Sequence, residues 1–125
     1  MFQNLDVFKT AMAMARHAGT AQALSAQNMA NADTPGYRAK DLPNFADAVQ
    51  GELMAQRATR AGHMHGSVGQ TIDPVERRIA ADPNGNTVSL ETEMLNSVAA
   101  SRQHNRALAI YKSSLSILRT SLSRN

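Results

Sequence analysis

The 125-residue sequence contains no cysteine and no tryptophan, and aromatic residues make up only 4% of it. The absence of cysteine excludes disulfide bonds, thiolate catalysis and zinc sites with cysteine ligands. Alanine is the most frequent apolar residue, and each buried alanine contributes little at roughly 25 cal/mol per Å². The sequence therefore predicts one small domain that is only marginally stable in isolation and that partner molecules complete.

Two kinds of targeting segment are also missing. No apolar run approaches the roughly 18 residues that a membrane-spanning helix requires. The first residues, Met1 to Asp6, lack the basic start and apolar stretch of a cleaved signal peptide. We therefore expect no membrane insertion, and any export should use a route without a cleaved signal peptide.

The residue patterns of common enzymes and metal sites are absent as well. The sequence has no Gly-rich phosphate loop and no pair of carboxylates at a spacing that suits general acid–base catalysis. His63 and His65 are two residues apart, so they share a face only in a strand, and no third ligand lies near them in the sequence. These absences predict a protein that is not an enzyme and holds no metal or cofactor.

The charge balance is basic, with a formal net charge of +3 and a pI near 9.8. Such a balance raises nucleic acid as a possible partner. However, the cations of the C-terminal segment fall into separate groups, and aromatic side chains for base stacking are scarce. A small basic helical nucleic-acid-binding protein is therefore the alternative hypothesis, and steeply salt-dependent retention on DNA would favour it.

The N-terminal segment, residues 1–33, is predicted to be a helix. Leu5, Phe8 and Met12 follow the spacing of one helical face, and alanines surround them. Further along, small side chains replace the large apolar ones, which suits close contacts between helices.

A turn follows this helix. Thr34 precedes a proline, which disfavours the α conformation, so the helix should end at or before Asp33. Pro35 presets φ for the second turn position, and Gly36 tolerates a positive φ at the third. The sequence thus predicts a type II turn from Thr34 to Tyr37.

The middle segment, residues 34–87, shows weak periodicity and several turn-rich stretches. After the turn motif we expect an extended, partly disordered loop, with one short helix near residues 45–57. A loop of this length is uncommon in a compact domain unless it is functional or becomes ordered on binding.

The C-terminal segment, residues 88–125, is predicted to be a helix with a coiled-coil-like stripe of apolar residues, because its large apolar residues repeat at 3-4-3-4 spacing. Ala99, Ile110 and Ile117 fall on another side, so two faces would need two neighbours. Glu91 and Glu93 near its start and the cations after them match the helix dipole. The predicted seam comprises Leu5, Phe8 and Met12 of the first helix and Met94, Leu108, Tyr111, Leu115, Leu118 and Leu122 of the last.

The predicted fold class is therefore all-α. The N- and C-terminal helices pack as a coiled-coil-like bundle, with a long irregular middle loop and no large β-domain. The three segments together form one assembly domain.

Residues 24–41, LSAQNMANADTPGYRAKD, resemble the signature of the bacterial flagellar rod and hook protein family. That signature has an Asn-hydrophobic-Ala-Asn core followed by Thr-x-Gly-aromatic. Met29 departs from it, since relatives usually carry Ile there, and residues 100–104 depart where relatives tend to carry Asn and Tyr. The predicted assembly motif comprises Leu24, Asn28, Ala30, Asn31, Asp33, Thr34, Pro35, Gly36 and Tyr37.

Two further stretches extend the resemblance along the chain. Thr59 and His63 fit a Thr-x-x-x-His element of the family's short members. Residues 86–94 fit the start of their C-terminal helix, in particular Asn86, Val88, Glu91, Glu93 and Met94.

The resemblance implies a structural component of the proximal rod of the flagellar basal body, exported by the flagellar type III apparatus without signal cleavage. It implies that the subunit joins the export gate and MS-ring region to the other rod proteins by helix bundling. Implied partners are the rod proteins FlgC, FlgF and FlgG, the adaptor FliE, the export gate and further copies of the chain. Within such an assembly, Asn28 and Asn31 could cap free helix carbonyls or cross-link a neighbouring helix.

Overall fold

The computed structural model describes residues 2–47 and 72–123. Two long helices dominate them, α1 (Phe2–Ala30) and α2 (Leu90–Leu122). Two short strands, β1 (Lys40–Asp41) and β2 (Val75–Glu76), pair antiparallel between the helices. The predicted fold class is confirmed, because the terminal helices pack together and the described residues contain no large β-domain. No helix in these ranges is long and apolar enough to cross a bilayer.

The ends of α2 follow from local hydrogen bonding. Ser89 is the N-cap in an extended conformation, and its Oγ accepts a hydrogen bond from Thr92 N at 3.4 Å. At the other end the Ser123 N–H donates to Arg119 O at 3.0 Å. The acidic first turn and the Arg119 side chain in the last turn both complement the helix dipole.

The two helices pack antiparallel. The rings of Phe8 and Tyr111 meet edge to face at a centroid distance of 5.2 Å near one end. Asn28 and Glu93 are hydrogen-bonded near the other end, at 3.1 Å. Between these contacts the most deeply buried apolar residues are Ala11, Ala18, Ala100 and Ala107. The absence of larger side chains at these positions allows the helix backbones to approach closely.

The apolar core is small and the buried polar content is high. Apart from Leu24, every buried apolar residue among those described is an alanine. The largest fully buried side chains are Glu93, Asn28 and Asn86. Hydrogen bonding therefore contributes much of the specificity of the chain's packing.

The described arms of the middle loop are more ordered than the sequence predicts. Lys40 pairs with Glu76 and Asp41 with Val75. The Arg77 N–H then donates to Ala39 O at 2.8 Å. Strands of two residues are too short to produce an alternating pattern, so the sequence offers no signal for this pairing.

Other predictions for the loop fall partly outside the described ranges. The short helix expected near residues 45–57 is helical over 45–47, and its remainder lies outside the described residues. The His63-Met64-His65 stretch and Thr59 also lie outside the described residues.

Candidate assembly junction

The C-terminal end of α1, the turn, the strand pair and the N-terminal end of α2 meet in one polar cluster, which we call the junction. Most of its side chains are buried or half-buried. The junction comprises Asn28, Tyr37, Asp41, Arg77, Asn86 and Glu93.

The turn that leads out of α1 has the geometry predicted from the sequence. The Tyr37 N–H donates to Thr34 O at 3.2 Å, and Gly36 has a φ of 72°. Asn31 Nδ2 donates to Gln27 O at 2.8 Å, so this amide does cap a carbonyl of the last helical turn. The predicted type II turn with a positive φ at Gly36 is confirmed.

A second capping residue comes from the far end of the loop. Asn86 is only 1% exposed, and its Nδ2 lies 2.8–2.9 Å from the carbonyl oxygens of Asn31, Ala32 and Thr34. Its Oδ1 accepts from the Val88 N–H at 2.7 Å. Asn86 therefore joins the end of α1 to the residues just before α2.

Two glycines bring these segments into direct backbone contact. Gly36 N donates to Asn84 O at 3.0 Å. Gly85 has a φ of 82°, and a Cβ at this position would lie 3.2 Å from Gly36 Cα. The close approach and the positive φ both require glycine at position 85.

Asn28 lies at the centre of the junction and is 1% exposed. Its Nδ2 donates to Lys40 O at 2.9 Å and to Glu93 Oε2 at 3.1 Å. Its Oδ1 accepts from Lys40 N at 3.1 Å and from Tyr37 Oη at 3.3 Å. All four hydrogen-bonding positions of the amide are used, and they connect α1 to β1, to the turn and to α2. The helix that Asn28 cross-links is thus one of the same chain.

Glu93 carries a carboxylate that is completely buried. Arg77 Nη1 lies 2.8 Å from Glu93 Oε1, an ion pair in which the N–H is not aligned as in a hydrogen bond. The Asn28 amide and the N-terminal dipole of α2 give further stabilisation. Because a buried charge is costly without partners, these contacts determine whether α2 can dock here.

Arg77 connects this buried carboxylate to the strand pair. Its Nε donates to Asp41 Oδ2 at 2.7 Å, and its Nη2 bonds Asp41 Oδ1. The hydrogen bond to Asp41 raises the pKa of Arg77 above its ordinary value. The guanidinium is charged at physiological pH even without this shift. A bidentate Arg–carboxylate pair fixes both position and orientation. Arg77 thus holds β1 and β2 against the start of α2.

His17 holds the segment after β1 against α1. Its Nε2 donates to Pro43 O at 2.7 Å, and its ring meets Phe45 edge to face at 5.5 Å. The ring is buried in this contact. These contacts are those of a packing residue.

The other predicted motif residues lie around the junction. Leu24 is buried between the helices, whereas Ala30, Asp33 and Pro35 are exposed. Their exposure leaves them accessible to a neighbouring molecule.

The predicted seam residues differ in how deeply they are buried. Phe8, Tyr111, Leu115 and Leu118 are half-buried, whereas Met12, Met94, Leu108 and Leu122 are exposed. The side chain of Leu5 lies outside the described residues. The assignment of this seam to assembly remains a prediction.

Sequence reasoning did not identify Arg77 or Asp41 as site residues. It placed Glu93 at the helix dipole and among the residues that fit the start of the family's C-terminal helix, but not in a buried site. One signal for Glu93 was present. Glu93, Ala100 and Ala107 recur every seven residues, which places the glutamate on the buried face of α2. Arg77 and Asp41 lie in turn-rich segments that offer no comparable pattern.

The sequence matches no protein-family model. It is similar to the flagellar basal body rod protein FlgB of Agrobacterium fabrum, with 28% identity over 118 residues. The matched region covers 89% of this chain and 88% of the relative. The similarity therefore extends over most of both chains.

Proposed function

We propose, starting from the similarity to FlgB-like flagellar basal body rod proteins, that the chain is a structural component of the flagellar rod. The observation that carries this proposal is the match over most of both chains, and it supports membership in the FlgB-like family. In this role the subunit is not an enzyme. It connects the export gate and MS-ring region to the other rod proteins, namely FlgC, FlgF and FlgG, with the adaptor FliE as a further partner.

The architecture of the described residues suits such a role. The junction fixes α1 and α2 as one unit, while large apolar side chains remain on the outer faces of both helices. Met12, Ile117 and Leu122 are examples, with exposed fractions of 44%, 63% and 74%. Exposed apolar stripes of this kind are typical of surfaces that become buried on assembly. Residues 1–33, 34–87 and 88–125 act in this proposal as one assembly domain.

Deletion of the gene from the source bacterium tests the proposal. We expect loss of swimming, basal bodies that lack a complete rod, and restoration by the wild-type gene. The tagged chain should copurify with basal bodies, and its mature N-terminus should show no signal cleavage. A deletion strain that swims with complete rods would refute the rod assignment.

Replacing Gly36 with Val tests the turn within this role. A Cβ at position 36 meets no atom within 4 Å, so the substitution strains only the backbone at a φ of 72°. A β-branched residue strongly disfavours that conformation, which redirects the chain as it leaves α1. Because the export apparatus takes unfolded chains, we expect a variant that is secreted but does not build rods.

Gly36→Asn is the matched control, since asparagine tolerates positive φ far better than valine. The asparagine variant should retain most of the motility that the valine variant loses. Complete rods containing Gly36→Val would contradict the assignment of the turn to assembly.

Leu115 and Leu118 test the contact between the helices. Both are half-buried, and at about 100° per residue Leu118 lies at nearly the same angle around α2 as the buried Ala107. An aspartate at either position places a carboxylate without a partner at this contact, at a cost of about 1–3 kcal/mol. We expect Leu118→Asp to abolish swimming and Leu118→Met to preserve it. Normal swimming of Leu118→Asp cells at normal protein levels would show that Leu118 is not a seam residue.

A further inference from the structure

Charge is distributed unevenly along the helix pair. After Glu93 the sequence contains no acidic residue. In the rest of α2 every exposed charged residue is a cation, namely Arg102, Arg106, Lys112 and Arg119. The opposite end, around the junction, exposes mainly acids, namely Asp33, Asp73, Glu76, Asp82 and Glu91, beside the cations Arg38 and Arg78. Beside α2, the helix α1 exposes Asp6, Lys9 and Arg16. The described charges thus form an acidic end around the junction, and α2 forms a basic shaft.

An apolar patch lies at the acidic end, which we call the head patch. Leu90, Met94 and Val98 follow one another at i, i+4 and i+8, which places them along one side of α2. With the adjacent Leu95 they are 51–67% exposed, and Glu91 lies at their margin. Four large apolar side chains with this exposure form a surface suited to contact with a partner.

A complementary surface lies near the other end of α2, which we call the tail flank. Leu108, Lys112 and Arg119 lie at similar angles around the helix, at about 100° per residue. Leu122 lies close beside them and is 74% exposed. The tail flank therefore combines apolar side chains with positive charge, whereas the head patch combines them with negative charge.

A single chain cannot bring these two surfaces together. Glu91 and Arg119 both belong to the continuous helix α2, and at 1.5 Å per residue they are about 40 Å apart. Each molecule thus presents one surface of each type at opposite ends. In a staggered parallel arrangement, contact between unlike surfaces of successive copies uses one surface of each molecule and leaves one of each type free, so further copies can add at both ends.

We propose that the head patch of one molecule docks on the tail flank of a second copy of this chain, head to tail. The inference rests on the proposed rod function, which requires contacts between subunits. It specifies the contact through which copies of the subunit join. Apolar side chains form the centre of the contact, while the Glu91 and Arg119 charges steer approach and fix its polarity.

Charge reversal provides the test, with the purified full-length chain studied by sedimentation velocity and light scattering. At low salt the wild-type mean mass should rise with concentration beyond that of a dimer, and high salt should lower it. Glu91→Lys and Arg119→Glu should each weaken association at least tenfold. Circular dichroism should show that both variants keep the wild-type helix content.

Two combinations should restore association. In an equal mixture of the two variants, the lysine introduced by Glu91→Lys in one molecule can meet the glutamate introduced by Arg119→Glu in the other. The unchanged Glu91 and Arg119 of the two variants can also pair. The double variant restores an attractive pair within one type of chain. Arg78→Glu, which alters an exposed cation outside both surfaces, should associate like the wild type.

Any of three results would overturn the proposal: a wild-type chain that stays monomeric, a closed dimer at every concentration, or a mixture that fails to recover association. These outcomes are distinct from failure of the rod assignment. If the deletion strain swims with complete rods while the purified chain passes the charge-reversal test, the rod function is wrong and the docking contact stands. If the deletion strain lacks rods and the mixture does not associate, the docking contact alone is wrong.

Discussion

Replacing Arg77 with Met is expected to destabilise the folded chain by about 3–5 kcal/mol, because the completely buried Glu93 carboxylate loses its counter-ion. The Asp41 carboxylate loses its bidentate partner in the same change. For a small domain this is a large fraction of the total free energy of unfolding. Urea denaturation followed by circular dichroism measures the effect, and the transition midpoint should fall sharply.

Arg78→Met is the matched control, since it removes the same charge from the next residue, which is exposed. Its midpoint should stay close to that of the wild type. The double variant Arg77→Met with Glu93→Gln removes the buried charge together with its partner, so it should recover much of the lost stability. Equal destabilisation by the single and double variants would show that Glu93 does not depend on Arg77.

Replacing Asn28 with Leu is expected to have an effect of similar size. Leucine has a comparable volume, but it leaves the Lys40 N–H, the Lys40 carbonyl and one oxygen of Glu93 without their partner. Each buried polar group without a partner costs about 1–3 kcal/mol. The sum is at least about 3 kcal/mol, with faster hydrogen exchange at the Lys40 amide as a local marker.

Gln27→Leu at the adjacent exposed position should leave both the urea midpoint and the exchange rate near their wild-type values. Asn28→Asp provides a second comparison, because it places a carboxylate next to Glu93 and removes the amide that donates to it. It should be at least as destabilising as the leucine variant. A stable Asn28→Leu chain with a protected Lys40 amide would contradict the central position of Asn28.

The sequence indicates the importance of Asn28 but not that of Arg77. Asn28 belongs to the motif that resembles the rod and hook family, so its involvement was expected. Arg77 belongs to no such motif. The structure shows that the two contact different oxygens of the same buried carboxylate, that of Glu93.

The sequence also does not show which side of α2 is buried against α1. Ala107 is completely buried, while Leu108, the next residue, is 39% exposed. Successive residues differ by about 100° around a helix, so a buried face that includes Ala107 and one that includes Leu108 both fit an apolar periodicity. The spacing of leucines indicates where large apolar side chains recur, whereas the contact between α1 and α2 uses the smaller alanines that permit close approach. The variants of Leu118, Glu91 and Arg119 distinguish which exposed side of α2 meets a neighbour in an assembly.

The sequence by itself determined the features that depend on neighbouring residues: the two terminal helices, the end of α1 before Pro35, and the turn with positive φ at Gly36. These follow from alanine content, from the steric restriction before proline and from the freedom of glycine, all of which act locally. Only the tertiary structure decided the junction. Glu93 and Asn28 are 65 positions apart in the sequence, and Arg77 and Asp41 are 36 apart. No local pattern records such pairings, because a buried charge becomes stable only once the fold has brought its distant partners together.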